Sequence, residues 1–375
     1  MLRPKASFKS RLNYPILLLL IALFISTLFS INIRLSLKGI YKFIPYLAAF
    51  YLMLSISPGQ KRKVLIVLVG AGSLLSLYAI YQFFWGFQNI LNYLSQTEPY
   101  PYAEEFLARK RVFSTFFSPN MFAGYLIVIM PLAMGLFLDS LIKKRRFLWI
   151  LTGLSIAFMF IALLLTKSLG AWISLFVAFL VFSALLFGYH PRLKHRILLA
   201  AVIVCIVITS MLTAIIITRA NYFLDFNNSQ NSIIQRLFFW KATARIIKDF
   251  PLTGVGVGNF GLIYPNYKNP QAFETHFAHN SYLQVWAEMG LLGLLAWLWL
   301  ILRSFRVGLR KLKVSKGQDY LTISLLAASS AFLAHNLIDF DFFIPEVAFH
   351  WWIIVGLFWP IFTPLATAET SSRIS

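Results

Sequence analysis

The sequence predicts an all-α polytopic membrane protein with about ten transmembrane helices, forming one integral-membrane domain over residues 1–375. Three observations carry this. Hydrophobic residues make up 59% of the 375 and charged residues only 13%, against about 25% charged in ordinary soluble domains. Aromatic residues reach 17%, with 37 Phe, 16 Tyr and 10 Trp, a usage that suits lipid-facing and interfacial positions. Apolar stretches of roughly 20 residues, the length a bilayer core requires, recur along the chain at about 14–31, 38–57, 64–85, 119–138, 147–166, 171–188, 197–218, 283–302, 320–338 and 347–366. Soluble, disordered and conventional cytosolic classes are excluded.

The net charge of +21 invites a nucleic-acid reading, and its distribution disposes of it. With the N-terminus placed inside, 21 of the 34 Lys and Arg fall on inner segments, at Arg3 to Arg11, 61–63, 143–146, 192–196, 303–316 and Arg373. Only Asp139, Asp319 and Glu369 among 13 acidic residues lie there. This is the positive-inside bias repeated at each inner connection, with both termini cytoplasmic. The first span follows a basic segment but no small-residue cleavage site follows it, so it reads as a retained anchor. Cys205, the single cysteine, falls inside span seven and reads as packing. No disulfide framework or metal cluster is expected.

Inner connections are short and basic. Two outer ones are long, at roughly 86–118 and 219–282. The second lies between spans seven and eight and is partly helical. From Asn231 to Asp249, the residues Ile233, Leu237, Trp240, Ala244 and Ile247 recur at helical spacing, with Arg236, Lys241, Arg245 and Lys248 between them. This predicts an amphipathic helix at or near the membrane surface. Pro251 and the following glycines end it. A second helix starts near His279, capped by Asn280 or Ser281, and runs into span eight.

Four polar clusters fall on the outer side. Arg109, Lys110 and Arg111 precede span four, where an anion at the helix N-terminus behind Pro119 and Asn120 would be held by both cations and helix dipole; a basic turn gripping lipid headgroups is the competing reading. Lys167 sits in the tight return between spans five and six, where snorkelling to water also explains it. Arg236 lies on the amphipathic helix, whose plainer role is contact with anionic lipid. The fourth cluster, His276, His279, Asn280 and Tyr282, joins a histidine pair to a helix start. Neutral imidazole is the usual general base near pH 7, which makes His279 the candidate catalytic residue; a capping role and a zinc site are its alternatives, the latter lacking an evident third ligand. Glu288, nine residues on, faces away from His279 and with Gly290 and Gly293 marks a close helix contact. The run Gly254-Val-Gly256-Val-Gly258-Asn259 departs from the dinucleotide fingerprint, leaving a glycine turn that lets backbone approach a phosphate.

At these residues the sequence resembles the O-antigen ligase and polymerase family of membrane glycosyltransferases. The likeness rests on R-x-F-S-T-F-F-S-P-N at Arg111 to Asn120, T-K-S-x-G-A-W at 166–172, R-x3-W at Arg236 to Trp240, P-L-T-G-V-G-V-G-N-F at 251–260 and H-N-S-Y-L-Q-x-W-A-E-M-G at 279–290. The resemblance implies a metal-independent, cofactor-free enzyme of the bacterial inner membrane, acting on its periplasmic face. It would take a polyprenyl-diphosphate-linked glycan as donor and a lipid or glycan as acceptor, with membrane lipid around it and no nucleic acid. His279 would take the acceptor proton while Arg111 and Arg236 hold the diphosphate, with Lys167, Asn120, Asn280, His276 and Tyr282 as further substrate contacts. The family commonly has Ser-Arg-Gly in the return after span five; Lys167-Ser168-Leu169-Gly170 departs from it, and Lys offers a point charge rather than a fork. Ligase, polymerase and protein-glycosylating roles all fit. The alternative from another class is a transporter of a small anion such as bicarbonate; the absence of acidic residues at span centres weighs against ion-coupled transport.

Overall fold

A computed structural model describes residues 13–94, 107, 109–189, 209–210, 213, 217, 231–317 and 319–358. Among these the chain is helical without strands. Six helices are long and apolar enough to cross a membrane, and three shorter apolar ones accompany them. The fold is an all-α polytopic membrane protein. Nine of the ten predicted spans coincide with described helices. Nearly all of the tenth, at 197–218, lies outside the described residues, as do Cys205 and the loops at 190–196 and 219–230.

The helices are α1 (Asn13–Leu28), α2 (Ile33–Tyr41), α3 (Phe43–Ser55), α4 (Pro58–Tyr81), α5 (Phe87–Leu94), α6 (Pro119–Ile142), α7 (Arg146–Thr166), α8 (Leu169–Tyr189), α9 (Ser232–Asp249), α10 (Ser281–Val314), α11 (Tyr320–His335) and α12 (Pro345–Phe358). Side-chain caps set several starts. Ser57 and Gln60 close a capping box on α4, and Ser118 accepts from Met121 N at α6, whose first residue is proline. As expected, Asn280 caps α10, accepting from Leu283 N at 3.1 Å.

α6 is the central helix. An 18-residue window of it is 78% buried, against 28% for α7, whose Ile150, Leu151, Leu154 and Ile161 are left exposed for lipid. Small residues let neighbours close on α6: a Cβ on Gly135 would sit 2.4 Å from Ser324 Cβ on α11, and one on Gly124 would meet both carboxylate oxygens of Asp341 at 2.7 Å. Close approach through small residues is the usual device of membrane helix packing.

Two irregularities shape the end of the bundle where α6 and α10 start. A π turn at Gln82–Gly86 joins α4 to α5, and such turns favour functional sites. It buries Gln82, whose Oε1 accepts from Phe113 N and Ser114 N, both at 3.0 Å, and so pins the strand of chain leading from Arg111 to α6.

The second irregularity is in α10. Gly290 has φ +67° and ψ −176°, which breaks the helix there. The carbonyls freed by the break are taken by the glycine run: Val255 N donates to Ala287 O at 2.9 Å and Gly256 N to Glu288 O at 3.0 Å, while Leu291 N donates to Pro251 O at 3.0 Å. Gly290 itself faces a loop, while the helix contact expected here is made by Glu288, whose backbone carbonyl also accepts from Ser26 Oγ on α1 at 2.6 Å. The glycine run is equally committed: the Val255 and Gly256 amides serve α10, that of Gly254 donates to Phe250 O and that of Asn259 to Gly256 O. Gly290→Ala would place a Cβ 1.9 Å from Leu252 O and force an alanine into a positive-φ region, at a cost of several kcal/mol for strain and displaced backbone together. Detergent-solubilised Gly290→Ala protein should therefore melt well below the unaltered chain.

The chain alternates between two ends of the bundle. At one lie the connections 56–57, 143–145 and 315–319, with Lys61, Arg62, Lys143, Lys144, Arg145, Lys311 and Lys313 around them. At the other lie the start of α6, the α7–α8 turn, the start of α10 and the α11–α12 connection, and here the predicted polar clusters meet.

Candidate active site

A cavity of about 270 Å³ opens at this second end. Arg111, Lys167 and Arg236 line it together with Asn120, Asp339 and His335. Three helix starts also face it: Asn120 at the beginning of α6, Leu169 and Gly170 at that of α8, and Ser232 and Ile233 at that of α9. Helix N-termini present unpaired N–H groups and about half a positive charge each. Three of them around three cationic side chains make an electropositive bowl suited to a multiply charged anion.

Each cation is aimed by backbone. Arg111 Nε donates to Thr166 O at 2.8 Å, and its Nη2 donates to Asn120 Oδ1 at 2.8 Å. Two sequence-predicted residues are thus in direct contact, and both are tied to the end of α7. Lys167 ends α7 in the left-handed conformation, φ +52°, and its Nζ donates to Arg109 O at 3.0 Å. Arg236 Nε donates to Ile338 O at 2.9 Å.

The helix carrying Arg236 forms as expected, and it buries a second face that hydropathy spacing does not mark. Gln235, Phe239, Ala242, Thr243, Ile246 and Ile247 are buried, while Ile233 and Leu237 stand exposed at 41% and 52%. The predicted apolar stripe is mostly the outer face, and Ile247 is the one member of it that is buried. The reason lies in partners: Gln235 is buried because it pairs with backbone, accepting from Phe273 N at 2.8 Å and donating to Gln271 O at 3.1 Å. A polar residue with both needs met can face inward, and hydropathy spacing does not register that. Ile233, Leu237 and Trp240 instead form an apolar wall of the cavity.

His279 stands behind Asp339. Its Nδ1 is 3.7 Å from Asp339 Oδ1, and Arg236 Nη2 is 3.8 Å from the other oxygen. The imidazole stacks on Phe239 at 5.3 Å and meets Phe340 edge-on at 4.6 Å. Its backbone has φ +51°, a conformation that costs a non-glycine residue on the order of 1–2 kcal/mol. The strain is held by Trp240, whose Nε1 donates to His279 O at 3.3 Å, and by the cap that follows. Asn280 Nδ2 reaches Leu337 O at 2.9 Å, and Ser281 N donates to Asn336 O at 2.8 Å. The start of α10 and the connection 336–343 are thereby locked together, which sets His279 against Asp339.

His335, Asp339 and Asp341 were not singled out as site residues from the sequence. Asp341 Oδ2 lies 2.6 Å from His335 Nδ1, both buried, in the space Gly124 leaves. The available signal was compositional: His335, Asp339 and Asp341 crowd seven residues at the end of α11 and the connection after it, in a chain where charge is scarce. Burial opposes the ionisation of Asp339, yet the imidazoles of His279 and His335 and the Arg236 guanidinium hold its carboxyl well below the usual carboxylate range. Its contribution to stability is therefore complete above the ordinary carboxylate value of about 4 and is lost as pH falls toward the depressed one. Asp339→Asn should melt below the unaltered protein at pH 7, and the gap between the two melting temperatures should narrow on acidification.

Asn280, its side chain spent on the cap and on Leu337 O, lines neither cavity, and two more predicted residues stand elsewhere. Tyr282 packs on Trp297 at 4.9 Å and donates to Leu333 O at 3.1 Å, a structural placement. His276 lines a second cavity, of about 380 Å³, so the histidine pair does not converge on one point.

Residues 154–298 match the family model described as O-antigen ligase. The chain carries an O-antigen ligase domain. No curated protein matches the chain. The matched segment includes Lys167, Arg236 and His279, while Arg111 precedes it and Asp339 follows it. The O-antigen ligase domain and the apolar helices together make this a multi-pass bacterial inner-membrane protein with a glycosyltransferase-type role in polysaccharide assembly, working on a lipid-linked glycan donor and an acceptor.

Proposed function

We propose that the protein transfers a saccharide from a polyprenyl-diphosphate carrier to an acceptor hydroxyl on the periplasmic face, with the basic connections at the other end of the bundle in the cytoplasm. The observation that supports this most is the convergence of Arg111, Lys167, Arg236 and three helix starts on one cavity, with an imidazole and a buried carboxylate at its rear. The exposed Ile233 and Leu237 beside the cavity offer an apolar surface to the carrier's prenyl chain.

In the reaction, the acceptor oxygen bonds to the anomeric carbon as the bond from that carbon to the diphosphate oxygen breaks. The acceptor proton passes to His279, and the lipid diphosphate departs with the electron pair. With Nδ1 turned to Asp339, Nε2 is the nitrogen left to accept the proton, and Asp339 stabilises the imidazolium that forms. The 3.7 Å separation shortens to a hydrogen bond once His279 is charged, since contacts of this kind commonly tighten only in the reacting complex. Negative charge growing on the diphosphate is met by groups already in place, the arrangement that gives electrostatic catalysis its size. The three cations supply that neutralisation, so this mechanism calls for no metal.

Analysis of surface and carrier-bound glycan in a deletion strain tests the reading. Full-length chains stranded on the carrier would mark a ligase, and single repeat units would mark a polymerase. An unchanged glycan profile would overturn the proposal.

A further inference from the structure

The second cavity, of about 380 Å³, is lined by His276 and Phe277, while His279, two residues on, faces Asp339 of the basic one. Its walls are Gly39, Lys42, Phe43 and Tyr46 at the junction of α2 and α3, the glycine run at Val257 and Gly258, and Phe277, Phe342 and Phe343. Glu288 closes its floor. Two polar atoms here are buried without hydrogen-bond partners, Glu288 Oε2 and Tyr46 Oη, each on a residue 2% exposed. The other oxygen of Glu288 is occupied, accepting from Gln284 Nε2 at 3.0 Å and from Phe260 N at 3.3 Å, and the Gly258 amide approaches the carboxylate. A buried carboxylate oxygen left unmet costs free energy, so the two atoms call for a ligand that brings O–H groups to them. Aromatic faces beside carboxylate, phenol, ammonium and imidazole groups match the alternation of apolar C–H faces and hydroxyls on a sugar ring. A fatty chain leaves the polar atoms unmet, and a fully ionised diphosphate brings no O–H to Glu288 Oε2.

We propose that this cavity binds the terminal sugar of the acceptor, a hydroxylated glycan, through Tyr46 and Glu288. The proposal rests on the transferase reading and adds to it the place of the second substrate. Geometry connects the two cavities. Phe277, in the wall of this one, stacks on Phe340 at 4.3 Å with an interplanar angle of 10°, and Phe340 in turn touches His279 edge-on at 4.6 Å. A sugar held against Phe277 presents its outward hydroxyl past the Phe340 ring to the imidazole, while the donor diphosphate sits in the basic cavity.

The test uses the full chain in lipid vesicles, with lipid-linked glycan extracted from the native cells as donor and the glycolipid fraction of the same envelope as varied acceptor. Tyr46→Phe and Glu288→Gln are expected to raise the acceptor KM about tenfold each, the worth of one lost hydrogen bond to a buried partner, while the donor KM stays as it was. Tyr46→Phe removes only the unpartnered hydroxyl and keeps the ring packing, so it reads the contact without threatening the fold. As a second measurement, Leu262→Cys in a Cys205→Ala background, at the 49% exposed rim, is capped with a bulky maleimide. Capping should abolish transfer and leave binding of polyprenyl diphosphate intact. An acceptor KM within twofold of normal in both variants, a change in the donor KM instead, or full transfer by the capped protein would each overturn the acceptor site. Transfer that survives His279→Ala would strike the transferase mechanism itself, and the acceptor KM would still report on the cavity.

Discussion

His279→Ala abolishes detectable glycan transfer while the protein continues to accumulate in the membrane: this is the largest effect the structure leads us to expect. Proton removal by a positioned base contributes about 10²- to 10⁴-fold, and among the described residues no second imidazole stands ready to replace it. His335 is buried and paired with Asp341, and His276 lines the other cavity. The variant also relieves little of the structure, since the contacts that hold the segment are made by the backbone carbonyl of His279 and by Asn280 and Ser281. Loss of transfer with only a small fall in melting temperature is therefore the expected pair of results. His279→Gln should behave in the same way, because an amide of similar length keeps the stacking on Phe239 and accepts no proton near pH 7. Normal surface glycan from either variant would remove His279 as the base.

The route from sequence to site was uneven for physical reasons. Span positions follow from hydropathy, which depends on composition over some 20 residues, and nine of ten coincide with helices in the described chain. The helix starts at Ser118 and Asn280 follow from local capping chemistry. Arg111 beside Asn120 was legible because both flank a single helix N-terminus. What sequence spacing does not carry is partnership across the chain. Gln235 looks like an outward residue until Phe273 and Gln271 are seen to satisfy it. The connection bearing Asp339 reaches the site only because α11 and α12 pack beside α6, and Gly124 makes room for Asp341 from more than two hundred positions away. The glycine run suggested a phosphate loop, and its Val255 and Gly256 amides are spent on a broken helix whose break depends on Gly290.

Arg236→Ala carries the second large effect, a loss of about a hundredfold or more in kcat/KM for the lipid-linked donor. Removing one preorganised donor from a site of developing charge costs about 10²–10³ in rate, and Arg236 serves twice. It faces the basic cavity, and it is the cation nearest the Asp339 carboxylate, 3.8 Å away. Without it, Asp339 keeps its charge through His279 and His335 alone, and one unbalanced anion then sits beside the cavity meant for the diphosphate. Asp339→Asn in the Arg236→Ala background should therefore restore part of the lost donor binding, though not the rate, since the imidazolium formed on His279 would lack its counter-charge. Arg236→Lys is expected to rescue poorly, because an ammonium cannot hold the Ile338 carbonyl through Nε while leaving a planar fork for phosphate oxygens. Donor saturation curves at fixed acceptor concentration separate these cases. A fall in kcat/KM of less than threefold for Arg236→Ala, with Arg236→Lys equal to the unaltered enzyme, would reduce this arginine to a brace for the α11–α12 connection and leave the diphosphate to Arg111, Lys167 and the three helix starts.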